Sequence, residues 1–295
     1  MMPAEISSER QEYSNAHEYL VFTSAEQKFG LRQEILVSII DMPRHTTIPH
    51  MPFHMRGVID YMGQAVPVYD IRKKMGIPEL KEEIDSLIES LVQRKQDHLS
   101  WLDKLKDQVA HGQEISVQTD PHKCAFGIWY DACKFHSYNL TDYMAQFDAP
   151  HKRIHSLAIE VGILIQAGKL EAAQDVILQA ESNELQTLLS LFDGAAKKIR
   201  QFTYEYAVIF ERANGQLIAI LADKLEYFGL LDEVISPLPV AFSRQHNNFI
   251  DALGRKSKGD DTEEILILSI EKFLLDETGN PPPVLLDEAQ ASPAS

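Results

Sequence analysis

The sequence predicts an α+β protein, a single β domain interrupted by an inserted bundle of helices. Three observations carry this. Residues 17–78 and 203–275 consist of short runs rich in β-branched and aromatic residues, separated by turn signals. Residues 79–202 switch to a helical period, with Pro121 the one proline between Pro78 and Pro150. Each β flank is short for an independent hydrophobic core, so the two flanks are read as halves of one domain. Surface loops tolerate such insertions because loop-closure entropy rises slowly with length.

The elements follow in order. Residues 1–16 are polar and read as a loose tail. EYLVFTS and KFGLR predict a hairpin around Ala25–Gln27. ILVSIIDMP is continuously apolar and fits either a buried strand or a short helix. GVIDYMGQAVPVYDI predicts a hairpin joined near Met62, Gly63 and Gln64, and Pro43, Pro49, Pro52 and Pro67 exclude long helices here. Next, Leu80, Ile84, Leu87, Leu91, Arg94, His98, Trp101 and Leu105 recur at alternating four- and three-residue steps, the buried seam of a packed helix. Further helices are predicted over about 122–137, 140–167 and 170–199, with Gly168 capping the second of these. Four helices with short connections predict an antiparallel four-helix bundle. TYEYAVIFE and QLIAILAD flank Asn214-Gly215, the signature of a type I′ hairpin. EILILSIEKFLL predicts a last strand running into a short helix, and the proline-rich, acidic residues 276–295 predict a disordered tail.

Composition narrows the function. Against 28 Lys and Arg stand 44 Asp and Glu, a net charge of −16 spread along the chain, which argues against nucleic acid or an anionic membrane surface as partner. Two cysteines make no disulfide framework, and no secretory signal or apolar run of membrane-spanning length is present, so a cytoplasmic protein is expected. No phosphate-binding glycine loop, nucleophile elbow or kinase motif occurs.

The histidines, 11 in all, are the conspicuous feature. His98 occupies a seam position where an aliphatic residue belongs. His151 and His155, in HKRIH, are four apart and share a helix face. Cys124 opens CAFGIW. Singly each has a bland explanation: a hydrogen-bonded core histidine, a chance pair, a small buried hydrophobe. Together, on three predicted helices, three imidazoles and one thiolate make a tetrahedral zinc site. HKRIH lacks the glutamate of a metalloprotease helix, with Lys152 in its place. His111, His122 and His136, and His45, His50 and His54 in the proline-rich loop, are expected to be solvated, and Cys133 to be structural.

The sequence H-x-x-W (His98, Trp101), C-x-F-G-x-W (Cys124, Phe126, Gly127, Trp129) and H-x-x-x-H (His151, His155) resembles the chemoreceptor zinc-binding domain over about residues 90–178. The spacings match as well, with 22 residues between Trp101 and Cys124 and 21 between Trp129 and His151. The resemblance implies a four-helix bundle holding Zn²⁺ through His98, Cys124, His151 and His155, with both tryptophans of the chain beside the site.

The flanks resemble CheW-like chemotaxis adaptor domains through EYLVFTSAEQKFGLRQEILVSIIDMP, IPHMPFHMRGVIDYMGQAVPVYDIRKKMGI, YAVIFERANGQLIAILADKLEYF, FIDALG and EILILSIEKFLL. That resemblance implies a CheW-like double β-barrel that binds the cytoplasmic tip of a chemoreceptor and the regulatory domain of a histidine kinase, without catalysis. Arg56, Gly57, Met62 and Gly63 are its partner-binding candidates. One position departs from the family: where its hairpin carries N-L-R-G, this chain has Asp60, Tyr61, Met62 and Gly63, so Met62 stands in place of an arginine. Three functions compete: an adaptor tuned by zinc occupancy or oxidation of Cys124, an adaptor with purely structural zinc, and a zinc hydrolase. The last is disfavoured because four strong ligands leave no open position for a catalytic water.

Overall fold

The computed structural model describes residues 17–133, 137–238 and 248–275. The expected tails, 1–16 and 276–295, and His136 lie outside the described residues. The chain divides into two compact units: one is formed by the chain up to Leu80 together with the chain from Tyr204, the other by Lys81–Thr203.

The first unit is built on β1 (Glu18–Ser24), β2 (Gln27–Arg32), β3 (Leu36–Asp41), β4 (Met55–Tyr61), β5 (Gln64–Tyr69) and a one-turn helix α1 (Ile71–Lys74). The returning chain adds β6 (Tyr206–Glu211), β7 (Leu217–Ala222), β8 (Lys224–Leu230), β9 (Glu233–Ile235), β10 (Ile250–Lys258), β11 (Asp261–Leu268) and a short helix, Ile270–Leu274. One sheet runs β8-β1-β2-β11-β10-β9 and the other β3-β6-β7-β5-β4. Both sheets therefore interleave strands from before and after the helices. The two parallel pairings, β11 with β2 and β5 with β7, join the halves.

Alternation along β1 shows how the apolar runs are used. Leu20 and Phe22 enter a core shared with Phe210 of the other sheet, whereas Tyr19 and Val21 pack on the opposite face with Ile265 and Ile267. On the other sheet Val208 and Phe210 face the shared core, and Ala207 and Ile209 face a third cluster with Ile59 and Val66. Sheets buried on both faces need continuous apolar strands rather than alternating ones.

Turn chemistry follows the sequence at one hairpin. Met62 and Gly63 both have positive φ, 54° and 82°, in a two-residue turn that matches the right-handed strand twist. Ala25 and Glu26 do the same with residues that carry no turn signal. The third hairpin differs from expectation. Arg212 N–H donates to the Gln216 carbonyl and Gly215 N–H to the Arg212 carbonyl, so Gly215 alone takes positive φ, 81°. This is the three-residue loop with a glycine bulge rather than a type I′ turn.

Two expectations about side chains are corrected here. Arg56 and Gly57 are not at the surface. Nη1 of Arg56 meets Asp70 at 2.8 Å, Glu79 at 3.2 Å and Glu205 at 3.4 Å, with its side chain 8% exposed. One nitrogen of the guanidinium is thus shared among three carboxylates, an internal ion-pair role. Gly57, at φ 147°, would place a Cβ 2.4 Å from the Thr46 carbonyl oxygen, so it serves close backbone approach. Met62, 87% exposed at the hairpin tip, and Gly63 beside it do reach the surface. His54, expected in solvent, is fully buried among Phe53, Tyr69 and Phe273, because the Asp70 N–H donates to its carbonyl at 2.7 Å and folds the loop over the core. His45 and His50 are exposed.

The second unit contains α2 (Leu80–Ala110), α3 (Ala125–Ala132), α4 (Tyr138–Ala145), α5 (Asp148–Gln166), α6 (Leu170–Ala180) and α7 (Gln186–Phe202). One π-helical turn, Glu181–Leu185, joins α6 to α7 in a continuous rod. The helix expected over 140–167 is broken at Gln146 and Phe147. Pro150 has no N–H to give the Gln146 carbonyl, so α5 starts anew with that proline in its first turn. The helix expected from 122 begins instead at Ala125, after a turn of 3-10 helix at Pro121–Lys123. Gly168 ends α5 as expected: Lys169 N–H donates to the Leu164 carbonyl and Gly168 N–H to that of Ile165. The core gathers Leu91 and Leu105 of α2, Phe126 of α3, Leu157 of α5, Ile177 of α6 and Phe192 of α7, with Phe147 from the break before α5. No helix among the described residues is long and apolar enough to cross a membrane.

Candidate metal centre

His98 leaves α2 on its buried seam, His151 and His155 leave one face of α5, and Cys124 is the residue before α3. The three imidazoles are 3%, 4% and 1% exposed. Phe126 packs beside them, its ring 5.8 Å from His98 and 4.9 Å from His151. The sulfur sits where an N-cap oxygen normally would. Cys124 Sγ accepts from Gly127 N–H at 3.2 Å, which fixes the thiol at the start of α3. Gly127 is also required for space: a Cβ there would lie 1.8 Å from the Pro121 carbonyl oxygen.

One ligand atom from each of His98, Cys124, His151 and His155 falls within a sphere of influence no wider than 4.8 Å between any pair. His151 Nε2 and Cys124 Sγ are 3.1 Å apart. The outer ring nitrogens are already engaged. His98 Nδ1 donates to the Arg94 carbonyl at 2.7 Å, and His155 Nδ1 to the Gln118 carbonyl at 2.8 Å. Those bonds leave the lone pair of each ring on Nε2, and both Nε2 atoms are buried with no hydrogen-bond partner. Two orphaned acceptors aimed at a thiol are costly in a dry core unless a cation is shared among them.

Electrostatics keeps the donors ready. Burial lowers the pKa of all three histidines; for His151, burial and then its histidine neighbours press it down to about 3. The imidazoles are thus neutral, the form that binds metal. Burial raises the Cys124 thiol, against the backbone N–H groups that favour its anion. The residues present fit a four-coordinate zinc ion with three nitrogens and one sulfur, and the cluster contains no carboxylate.

Comparison with known domains agrees with this geometry. Residues 18–97 match the CheW-like domain, and residues 98–161, starting at the first donor histidine, match the chemoreceptor zinc-binding domain. The zinc-binding domain match thus spans His98, Cys124, His151 and His155. No curated protein matches the chain. Among solved structures, the scaffolding protein TtCheW from Thermoanaerobacter tengcongensis is similar at 13% identity and a TM-score of 0.40, over 93% of this chain and 97% of that one.

The remaining candidates stand apart from the cluster. His111 and His122 are exposed, the latter bonded to Asp131 at 2.7 Å. Cys133 caps the far end of α3. Sequence reasoning missed the carbonyls of Arg94 and Gln118, which set the imidazole tautomers. A main-chain carbonyl has no letter in the sequence, although for His98 the acceptor is simply the residue one turn earlier.

Proposed function

We propose that this protein is a non-enzymatic signalling adaptor of the chemotaxis type, holding a chemoreceptor tip and a histidine kinase regulatory domain together in the cytoplasm. In this reading residues 17–78 and 203–275 form one CheW-like double barrel, and residues 79–202 are an inserted antiparallel four-helix bundle whose short fourth member is α3. His98, Cys124, His151 and His155 hold one Zn²⁺. Bound there, the ion would satisfy the orphaned nitrogens and cross-link α2, α5 and the start of α3. The observation that carries the reading is the convergence of two unpartnered, buried Nε2 atoms on the His151–Cys124 pair.

A regulatory role for the metal is favoured over a purely structural one by the sulfur. Cys124 is partly exposed whereas the three histidines are buried. The thiolate is both the softest ligand and the one open to oxidants, so its oxidation would release zinc. The hydrolase reading lacks support, since the donor cluster holds no carboxylate to serve as general base.

The test is metal analysis of the full chain after purification in zinc-containing medium. One Zn²⁺ per chain is expected, lost in His98→Ala and His151→Ala and kept in His111→Ala, whose ring lies in solvent against Asp107. Zinc-free wild type overturns the site. Capture of a receptor tip or kinase domain, compared before and after oxidation with Cys133→Ser as background, tests the coupling. Zinc release without a change in capture leaves the metal structural.

A further inference from the structure

The two orphaned histidines are oriented by different means. His98 donates from Nδ1 to the carbonyl of Arg94, a group held in place by its own helix. His155 instead reaches across to the carbonyl of Gln118, in the irregular connection between α2 and the Pro121–Lys123 turn. A carbonyl in such a segment can rotate away with its peptide plane, and His155 would then exchange tautomers. Its Nε2 would carry the proton, and its outward nitrogen the lone pair.

The same Gln118 oxygen accepts a second hydrogen bond, from the indole Nε1 of Trp101 at 2.8 Å. A carbonyl oxygen has two lone pairs, so both donors are accommodated. Trp101 sits three residues after His98 on α2, and its ring lies edge-on to His155 at 5.3 Å. One residue earlier along the connection, Val117 is buried; before it, Ser116 is clasped by the Gln108 side chain, which accepts from its N–H and donates to its hydroxyl. The connection is therefore anchored to α2 at two places, and the anchor nearer the metal centre is the indole.

We infer that Trp101 is a positioning residue for the metal centre: its indole N–H fixes the Gln118 carbonyl, and that carbonyl holds His155 with its Nε2 lone pair toward the other donors. This rests on the proposed zinc centre, and it goes beyond shielding or core packing because it assigns the N–H rather than the ring. Outer-shell partners of metal-bound histidines are worth roughly 10–100-fold in affinity.

The experiment uses the full chain in two forms: Trp101→Phe, and Trp101 replaced by benzothienylalanine, an isostere with sulfur in place of the N–H. The second form keeps the packing if the first fails to fold. Long-range ¹H–¹⁵N spectra of the metal-free protein above pH 7.5 report each imidazole's tautomer, and chelator competition with Zn²⁺ reports affinity. In wild type, His98 and His155 are expected as pure Nδ1–H tautomers. In both variants His155 becomes a mixture, His98 stays unchanged, and zinc binds about tenfold more weakly. An unchanged His155 in the isostere, or a changed tautomer with wild-type zinc affinity, overturns the inference. If wild type takes up no zinc the metal reading fails by itself, while a pure His155 tautomer in the isostere still overturns the positioning role.

Discussion

Replacing Gly127 by alanine adds a single methyl group where the structure has no room for it. The new Cβ would lie 1.8 Å from the Pro121 carbonyl oxygen, 2.8 Å from its carbon and 3.1 Å from His122 Cα. All three are backbone atoms, so no side chain can swing aside. An ordinary carbon–oxygen approach is about 3.3 Å, and the Pro121–Lys123 turn must retreat from α3 by roughly 1.5 Å. Cys124 joins that turn to the helix, and Gly127 N–H is one of the bonds that fix its sulfur. Zinc bond lengths hold to about 0.2 Å, so a displacement several times larger removes the thiolate from the site. We expect zinc affinity to fall at least 100-fold, about 2.8 kcal/mol at ~1.4 kcal/mol per decade. The metal-free helical unit should lose a further ~1–3 kcal/mol through overpacking. Gly162→Ala is the control: it lies on α5 of the same unit, its Cβ would meet only Ile115 at 3.9 Å, and it should gain up to about 1 kcal/mol in helix propensity. Chelator competition and denaturant unfolding with and without zinc read both quantities. Zinc affinity in Gly127→Ala within threefold of wild type, with unchanged unfolding, would refute the reasoning.

Three further outcomes are expected. The metal-free helical unit should lose stability as pH falls from about 6.5 toward about 3, because the unfolded chain takes up protons that His98, His151 and His155 refuse while buried. The slope is at most ~1.4 kcal/mol per pH unit for each group, and urea curves across that range that show stability rising in acid would contradict it. Zinc binding near neutral pH should release a proton from Cys124, whose thiol burial holds above its ordinary value. Calorimetry in two buffers of different ionisation enthalpy measures this, and identical apparent enthalpies would exclude it. In the β unit, Arg56→Met should cost about 3–5 kcal/mol by leaving buried carboxylates without their cation, whereas Met62→Arg at the exposed tip should stay within about 0.5 kcal/mol. Equal melting shifts for the two would argue against the buried role of Arg56.

What could be read from the sequence was whatever local spacing encodes. The step pattern from Leu80 to Leu105 put His98 on a buried seam, and the four-residue interval put His151 and His155 on one face. Both placements hold in the helices that formed. The hairpin at Met62-Gly63 was legible because its turn demands positive φ. Less visible were features decided by distant partners. Arg56 is engaged by carboxylates 14, 23 and 149 positions away, so nothing nearby marked it as internal. His54 sat among prolines in a stretch that looked like loop, and only the closure of that loop over Tyr69 and Phe273 buries it. The break before α5 was within reach, since Pro150 announces a missing donor. The Asn214-Gly215 signal gave the right hairpin and the wrong loop, because a glycine after a helical-type turn serves a bulge as well as it serves a tight reversal.

The grip of Arg56 on Glu79 and Glu205 has a consequence for how this chain can be rebuilt. Glu79 immediately precedes α2, and Glu205 immediately precedes β6. Carboxylates within reach of one guanidinium nitrogen bring the outgoing and returning strands of backbone to neighbouring points on the β unit. The β unit thus behaves as a socket with two adjacent terminals. A few flexible residues could close it in place of the helices, because closing a short gap adds little entropy and severs no strand pairing in either sheet. By the same geometry, any domain whose own ends lie close together can be plugged in. The helical unit is one such cartridge, and a fluorescent reporter or a different ligand-binding module with adjoining termini would be another.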